Sequence, residues 1–140
     1  MEKQKSSIVD FLSEDVSIQA LRRTLDVKKT LAVYGLGEGQ RTLISAALLA
    51  GQEARDLLVL CDTQKRAKEL WEDLNSLLGA YEVLYFPALE MIPYELLAKS
   101  GELEQKRSEV LAKLLAPQRR MPFAIITTVE GLSKIGRAHV

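Results

Sequence analysis

The sequence has few of the residues needed for disulfide, metal or nucleophilic chemistry. It contains one cysteine, Cys61, and one histidine, His139, among 140 residues. A single cysteine excludes a disulfide framework and a zinc site built from cysteines, and is typical of proteins from a reducing compartment. The sequence shows no Ser/His/Asp or Cys/His arrangement. It also shows no pair of carboxylates in surroundings that would prepare them for acid–base catalysis. We therefore predict no catalytic residue and no metal site.

The sequence also lacks an excess of charge of either sign, since 19 basic residues balance 19 acidic ones. Proteins that bind nucleic acid without sequence preference normally carry a basic excess. We therefore expect weak or no DNA binding, with only local clusters such as Lys65-Arg66 or Arg119-Arg120 available for contact. Apolar runs are all shorter than the roughly 18 residues of a membrane span, and no signal peptide is recognisable, so we expect a cytoplasmic protein.

The residues that are present indicate a globular α/β domain. Apolar residues make up 47% and charged residues 27%, which is ordinary for a folded domain. Residues 1–29 predict one or two small helices, with Ile18, Leu21 and Leu25 on the apolar side and Arg22 and Arg23 outside.

Residues 30–135 alternate between apolar runs that are typical of strands and amphipathic segments that are typical of helices. Such alternation predicts a parallel sheet with helices on both faces, as in a RecA-like or P-loop-type half-domain. Asp62 or Thr63 is expected to cap the second of these helices. Strands are predicted at Thr30–Tyr34, Asp56–Cys61, Glu82–Phe86 and Phe123–Thr128, and helices at 40–50, 64–78, 102–115 and from 129 onward.

The loop after the first predicted strand resembles a degenerate phosphate loop. In the pattern G-x-x-x-x-G-K-[ST], Gly35 takes the first glycine position and Thr42 the hydroxyl position. However, Gln40 stands where the second glycine lets the backbone approach a phosphate, and Arg41 stands in place of the lysine. The candidate loop residues are Gly35, Gly37, Gly39, Gln40, Arg41 and Thr42.

Three interpretations of this loop stay open. The one we favour is a strand-to-helix turn that does not bind nucleotide productively. Weak binding of an anion or nucleotide at the helix N-terminus is the second. A dinucleotide fingerprint is the third, but Gly35-x-Gly37-x-Gly39 lacks the glycine that this fingerprint has at its sixth position.

One segment carries a resemblance to a known family. The stretch Phe86-Pro-Ala-Leu-Glu-Met-Ile-Pro-Tyr94 resembles the FPxWExLPY motif in the N-terminal UvrB-like module of bacterial transcription-repair coupling factors (Mfd). Arg107 and the run Ile125–Leu132 follow in the family's order, and the resemblance covers roughly residues 10–135, although Leu89 replaces the family's Trp. The motif residues are Phe86, Pro87, Glu90, Pro93, Tyr94 and Arg107.

The resemblance implies a structural role within a larger protein. It implies a UvrB-like subdomain at 30–135, preceded by the helical segment that the residue pattern predicts at 1–29. Residues 136–140 do not resemble the family's continuation, and their sequence character leads us to expect a tail of cloning origin. The family protein is an ATP-dependent DNA translocase that displaces stalled RNA polymerase and recruits UvrA. ATP and Mg²⁺ would then belong to its motor, and this segment would hold no cofactor. Its partners would be the inserted UvrA-binding domain and the motor of the same chain, whereas UvrA and RNA polymerase would be contacted through other regions.

Two other functions remain as alternatives, a small nucleotide-binding P-loop-like protein and the nucleic-acid-binding half of a helicase. Under the structural interpretation, Phe86 should be largely buried. Strands that are apolar on both sides normally need cover on both faces. A sheet of few strands would leave an open edge or face, so we also expect self-association or marginal stability.

Overall fold

A computed structural model describes residues 7–50, 55–79, 81–88, 97–116 and 122–133. Within these ranges the chain forms six helices and one sheet of three strands. None of these helices combines the length and the apolar character that crossing a membrane requires. In chain order the elements are α1 (Ser7–Glu14), α2 (Val16–Lys28), α3 (Glu38–Leu49), β1 (Leu57–Cys61), α4 (Gln64–Leu77), β2 (Glu82–Tyr85), α5 (Leu97–Leu115), β3 (Phe123–Thr128) and α6 (Val129–Ser133).

The sheet is parallel, with β3 in the centre and the order β1-β3-β2. Leu58 of β1 and Leu84 of β2 both lie opposite Ile125 of β3. All six residues of β3 are buried. A central parallel strand that is apolar on both sides is what the continuous run at 123–128 predicts, and the expectation of a parallel α/β sheet is confirmed.

Two cores lie on opposite faces of the sheet, because successive residues of β3 alternate between them. On one face, α4 packs against β3 and α3 packs against β1 and α4, and the core there includes Leu49, Leu74, Ala124 and Ile126. The second face is covered by α5. Its core consists of Phe86, Val110, Phe123 and Ile125, with Leu84 and Leu111 packed against them.

The prediction of a strand at Thr30–Tyr34 is wrong. This segment has no strand pairing, and Val33 and Tyr34 are 45% and 89% exposed. Strand propensity is realised only where a neighbouring strand offers backbone partners, and this segment has none. The glycine loop is therefore not preceded by a strand, so the described sheet lacks the strand–loop–helix unit of a P-loop.

The predicted exposure of Arg22 is also wrong, because this side chain is buried between α2 and α3. Its Nη2 donates to the carbonyl oxygens of Ala47 and Ala50, the latter at 2.8 Å. These carbonyls lie at the C-terminal end of α3, where backbone acceptors lack helical partners and a cation is favourable. Arg22 follows Ile18 by four residues and so lies on the same stripe of the helix.

The helix boundaries around α4 agree with the sequence. Thr63 is the N-cap, and its Oγ1 accepts a hydrogen bond from the backbone N–H of Arg66 at 3.2 Å. The helix ends just before Gly79, as predicted.

The start of α6 is packed closely against the segment that follows β2. Thr127 Oγ1 donates to the carbonyl oxygen of Phe86 at 2.7 Å, and Thr128 Oγ1 accepts from the N–H of Gly131 at 3.0 Å. A Cβ at position 131 would lie 2.6 Å from Thr127 Oγ1 and 3.4 Å from the backbone N of Ala88. Only glycine fits at this contact without displacing the hydroxyl that joins β3 to Phe86.

We predict that Gly131→Ala destabilises the fold by about 1–3 kcal/mol, because the added methyl group must displace the Thr127 hydroxyl. Gly101→Ala is the matched control, since Gly101 is exposed on α5 with open space around the position of a Cβ. That change should stabilise the helix by up to about 1 kcal/mol. Urea unfolding measures both free energies, and equal effects of the two variants would contradict the prediction.

Candidate functional site

The predicted phosphate-loop residues lie together at the start of α3, and one of them closes the loop onto itself. Gly37 is the N-cap, and the side-chain Oε1 of Gln40 accepts a hydrogen bond from its backbone N–H at 2.9 Å. Gly35 has a φ of 78°, a left-handed conformation that favours glycine. A backbone donor that could bind a phosphate is therefore already occupied by Gln40.

The other two predicted contact residues differ in exposure. Arg41 is exposed on the first turn of α3. Thr42 is buried, and its Oγ1 donates to the carbonyl oxygen of Glu38 at 3.2 Å. A hydroxyl used inside its own helix in this way does not face a metal–phosphate group.

A cleft of about 420 Å³ lies beside this loop, between the start of α3, the carboxyl end of β1 and one face of α4. Clefts at the carboxyl ends of parallel strands are the usual ligand sites of α/β proteins. The ionisable side chains of its wall, Cys61 aside, are Glu38, Arg41, Asp62, Arg66, Glu69 and Asp73. Four acids thus face two arginines, and the excess of negative charge opposes the binding of a phosphate.

Arg66 is held by the acids of the cleft. Its Nη1 lies 3.0 Å from Asp62 Oδ2, and its Nε lies 3.8 Å from Glu38 Oε1. Exposed ion pairs of this kind add at most about 1 kcal/mol of stability. A ligand anion would have to compete with these two carboxylates for the Arg66 guanidinium.

The thiol of Cys61 is half-buried in the wall of the cleft. Burial raises its pKa, the neighbouring Asp62 carboxylate raises it further, and Arg66 opposes both. The thiolate is the nucleophilic form of cysteine, so a raised pKa leaves this group a poor nucleophile at neutral pH. No cluster of metal-ligating side chains occurs within the described ranges.

The motif residues form a second group, distant in sequence from the cleft and built around Arg107. Phe86 and Arg107 are 3% and 4% exposed, and Pro87 is fully buried. Arg107 Nη1 donates to the carbonyl oxygens of Pro87 at 2.9 Å and Gly131 at 3.2 Å. The guanidinium carbon also lies 4.2 Å from the centre of the Phe86 ring. The predicted burial of Phe86 is confirmed.

Burial lowers the pKa of the Arg107 guanidinium, and the Glu104 carboxylate opposes this shift. An arginine starts so far above neutral that it keeps its charge, so the two carbonyl oxygens and the ring face a permanent cation. The remaining motif residues, Glu90, Pro93 and Tyr94, lie outside the described residues.

Sequence reasoning missed two features of these groups. It did not assign Gly131 or Thr127 a role, and no signal other than the resemblance joins them to Arg107. The acidic cleft was missed although a signal was present. A spacing of four and three residues places a set of charged side chains on one side of α4 and of the turn before it. These are Asp62, Arg66, Glu69 and Asp73.

No protein-family profile, curated protein or solved structure matches this chain.

We predict that the chain binds no Mg-ATP up to about 1 mM, which corresponds to a binding free energy weaker than about −4 kcal/mol. The Gln40 side chain occupies the Gly37 N–H, and the acids of the cleft repel phosphate. Calorimetric titration should be flat for the wild type. The Gln40→Gly variant, which frees this N–H, should be flat as well because the acids remain. A dissociation constant in the low micromolar range would refute the prediction.

Phe86→Ala should destabilise the fold by about 3–5 kcal/mol, since it removes a buried ring and the surface on which Arg107 rests. Phe11→Ala is the matched control, because Phe11 is 72% exposed on α1. Its effect should stay within about 0.5 kcal/mol. Both values come from chemical unfolding monitored by circular dichroism. A wild-type midpoint for Phe86→Ala would mean that this segment is a contact surface.

Proposed function

We propose that this chain is a non-catalytic structural subdomain of a transcription-repair coupling factor, similar to the first part of its UvrB-like module. The observation that supports this most directly is that the three segments of the resemblance pack on one another. Arg107 binds the carbonyls of Pro87 and Gly131, and Thr127 binds the carbonyl of Phe86. Residues that are distant in sequence thus form one structural unit.

The contacts of this unit favour a structural role over a ligand site. The partners of Arg107 and Thr127 are main-chain carbonyl oxygens in the interior. Buried polar groups that satisfy one another fix the relative positions of their elements. Here they hold α5, the end of β2 and the start of α6 together.

The proposal includes a RecA-like ancestry in which the phosphate loop has lost its function. Support comes from the parallel sheet and from a glycine loop that opens a helix at the carboxyl end of β1. The two alternatives, a small nucleotide-binding protein and a helicase half, are less well supported. Both need free backbone donors in the loop and an electropositive cleft, whereas Gln40 occupies a donor and the cleft is acidic.

In this proposal, ATP and Mg²⁺ act in a motor elsewhere in the coupling factor. DNA, RNA polymerase and UvrA are contacted by other regions, and the protein works in the cytoplasm. This subdomain positions the inserted UvrA-binding domain against the remainder of the chain.

A chimera tests this function. In a bacterial transcription-repair coupling factor, residues 7–133 of this chain replace the equivalent segment. We expect the chimera to displace stalled RNA polymerase and to recruit UvrA at rates near those of the parent protein. The chimera with Arg107→Ala should lose thermal stability and UvrA recruitment, because the buried carbonyls of Pro87 and Gly131 lose their donor.

The matched control is the chimera with Arg23→Ala, since Arg23 is exposed on α2. It should behave like the unaltered chimera. A wild-type chimera that is folded but fails in both activities would contradict the proposed function.

A further inference from the structure

The chain leaves the carboxyl end of β2 through three buried residues. Phe86, Pro87 and Ala88 are each 3% exposed or less, and they follow the last residue of β2 that pairs with β3. Their carbonyl oxygens are therefore removed from water at a point where the strand pairing has ended. A buried carbonyl oxygen without a donor is costly, so the fold must supply a donor for each of the three.

Each of these carbonyl oxygens accepts a hydrogen bond from a side chain of a different element. Thr127 Oγ1 of β3 donates to the first at 2.7 Å, Arg107 Nη1 of α5 to the second at 2.9 Å, and Gln64 Nε2 of α4 to the third at 3.3 Å. Helix α4 belongs to the core on one face of the sheet, whereas α5 belongs to the core on the other. The three bonds thus join helices on opposite faces to one short stretch of main chain.

The amide of Gln64 uses both of its polar atoms in this arrangement. While Nε2 donates to Ala88, Oε1 accepts a hydrogen bond from the Tyr85 hydroxyl at 3.2 Å. The Tyr85 ring stacks on Trp71 of the same helix α4, with centroids 5.9 Å apart. Glutamine can fill this position because it is a donor and an acceptor at once, whereas an ionised glutamate only accepts.

Helix α6 lies against the same stretch of main chain. A Cβ at Gly131 would lie 3.4 Å from the backbone N of Ala88, and the Gly131 carbonyl oxygen accepts from Arg107 at 3.2 Å. Ala88 is therefore bound by Gln64 of α4 and packed closely on Gly131 of α6. A change at Gln64 has a short physical path to α6 through Ala88.

We propose that Gln64, Arg107 and Thr127 form an edge network that makes α4, α5 and α6 open and close as one unit. The network also fills the carboxyl edge of β2 and β3 with the chain's own backbone, at the edge where α/β proteins usually bind their ligands. Gln64 is the member that joins α4 to this unit. The inference goes beyond the proposed function and does not rest on it, because it concerns contacts within the chain.

The alternative is that the contact of Gln64 is purely local. Local openings of a native protein are measured by the exchange of individual amide hydrogens, and amides that belong to one cooperative unit respond together. A local contact would affect only the start of α4. The edge network requires that a change at Gln64 also raises the opening of α6.

Amide hydrogen exchange of the full chain, followed by NMR, tests the network. The reporter is the N–H of Gly131, which donates to Thr128 Oγ1 at 3.0 Å. Gln64→Glu keeps the acceptor for Tyr85 but removes the donor to Ala88, and a glutamate in the first turn does not weaken a helix. We expect it to speed exchange at Gly131 at least about 5-fold. Gln64→Met removes the donor without adding a charge and should have the same effect.

Gln19→Glu is the matched control. Gln19 Nε2 donates to the carbonyl oxygen of Ser13 at 3.4 Å, so this change also removes a side-chain bond to a carbonyl, but within the two N-terminal helices. It should leave exchange at Gly131 unchanged. A second control is the N–H of Ala50, which donates to the Ala46 carbonyl oxygen at 3.0 Å at the end of α3. In both Gln64 variants its exchange should stay within about 2-fold of the wild type.

Two results would overturn the proposal. One is wild-type exchange at Gly131 in both Gln64 variants, which would make the contact of Gln64 local. The other is an equal acceleration at Gly131 and Ala50, which would mean a uniform loss of stability in place of a link between α4 and α6.

Discussion

The burial of β3 is the constraint on which the rest of the structure depends. Both other strands pair with it, and each of its faces forms part of one of the two cores. Its last two residues, Thr127 and Thr128, are also buried, and their hydroxyls bind the end of β2 and the start of α6. Because parallel strands distant in sequence meet only here, the sheet cannot form before this late segment of the chain is in place.

Two buried arginines, one on α2 and one on α5, have similar roles. Arg22 binds the carbonyl oxygens at the end of α3, and Arg107 binds those of Pro87 and Gly131. In both cases a side chain that would normally be solvated supplies donors to main-chain acceptors near the ends of helices and strands. Removal of either would leave buried carbonyls unpaired, which is why these residues contribute to the fold rather than to ligand binding.

The sequence predicts those elements whose signal is local. The apolar runs at β1 and β3, the stripe of α4 and a cap at Asp62 or Thr63 each depend on residues within one segment. Each is found, with Thr63 as the cap. Thr30–Tyr34 has the same local character but no partner strand, so its propensity is not realised. Arg22 was misplaced for a related reason, since its burial depends on α3, which local periodicity does not include. The sequence likewise predicts a glycine loop at the start of a helix. The hydrogen bond from Gly37 to Gln40 and the acidity of the cleft depend on side-chain geometry, which the sequence does not show.

The closure of the glycine loop by Gln40 has a consequence for how folding is coupled to the cell's metabolism. A phosphate loop with free donors is stabilised when nucleotide binds, so the folded fraction of such a domain rises and falls with ligand concentration. Here the helix start is satisfied by a side chain of the same chain, three residues from the backbone group that it binds. On the prediction that the loop binds no Mg-ATP, the folded fraction of this chain should not depend on the nucleotide concentration.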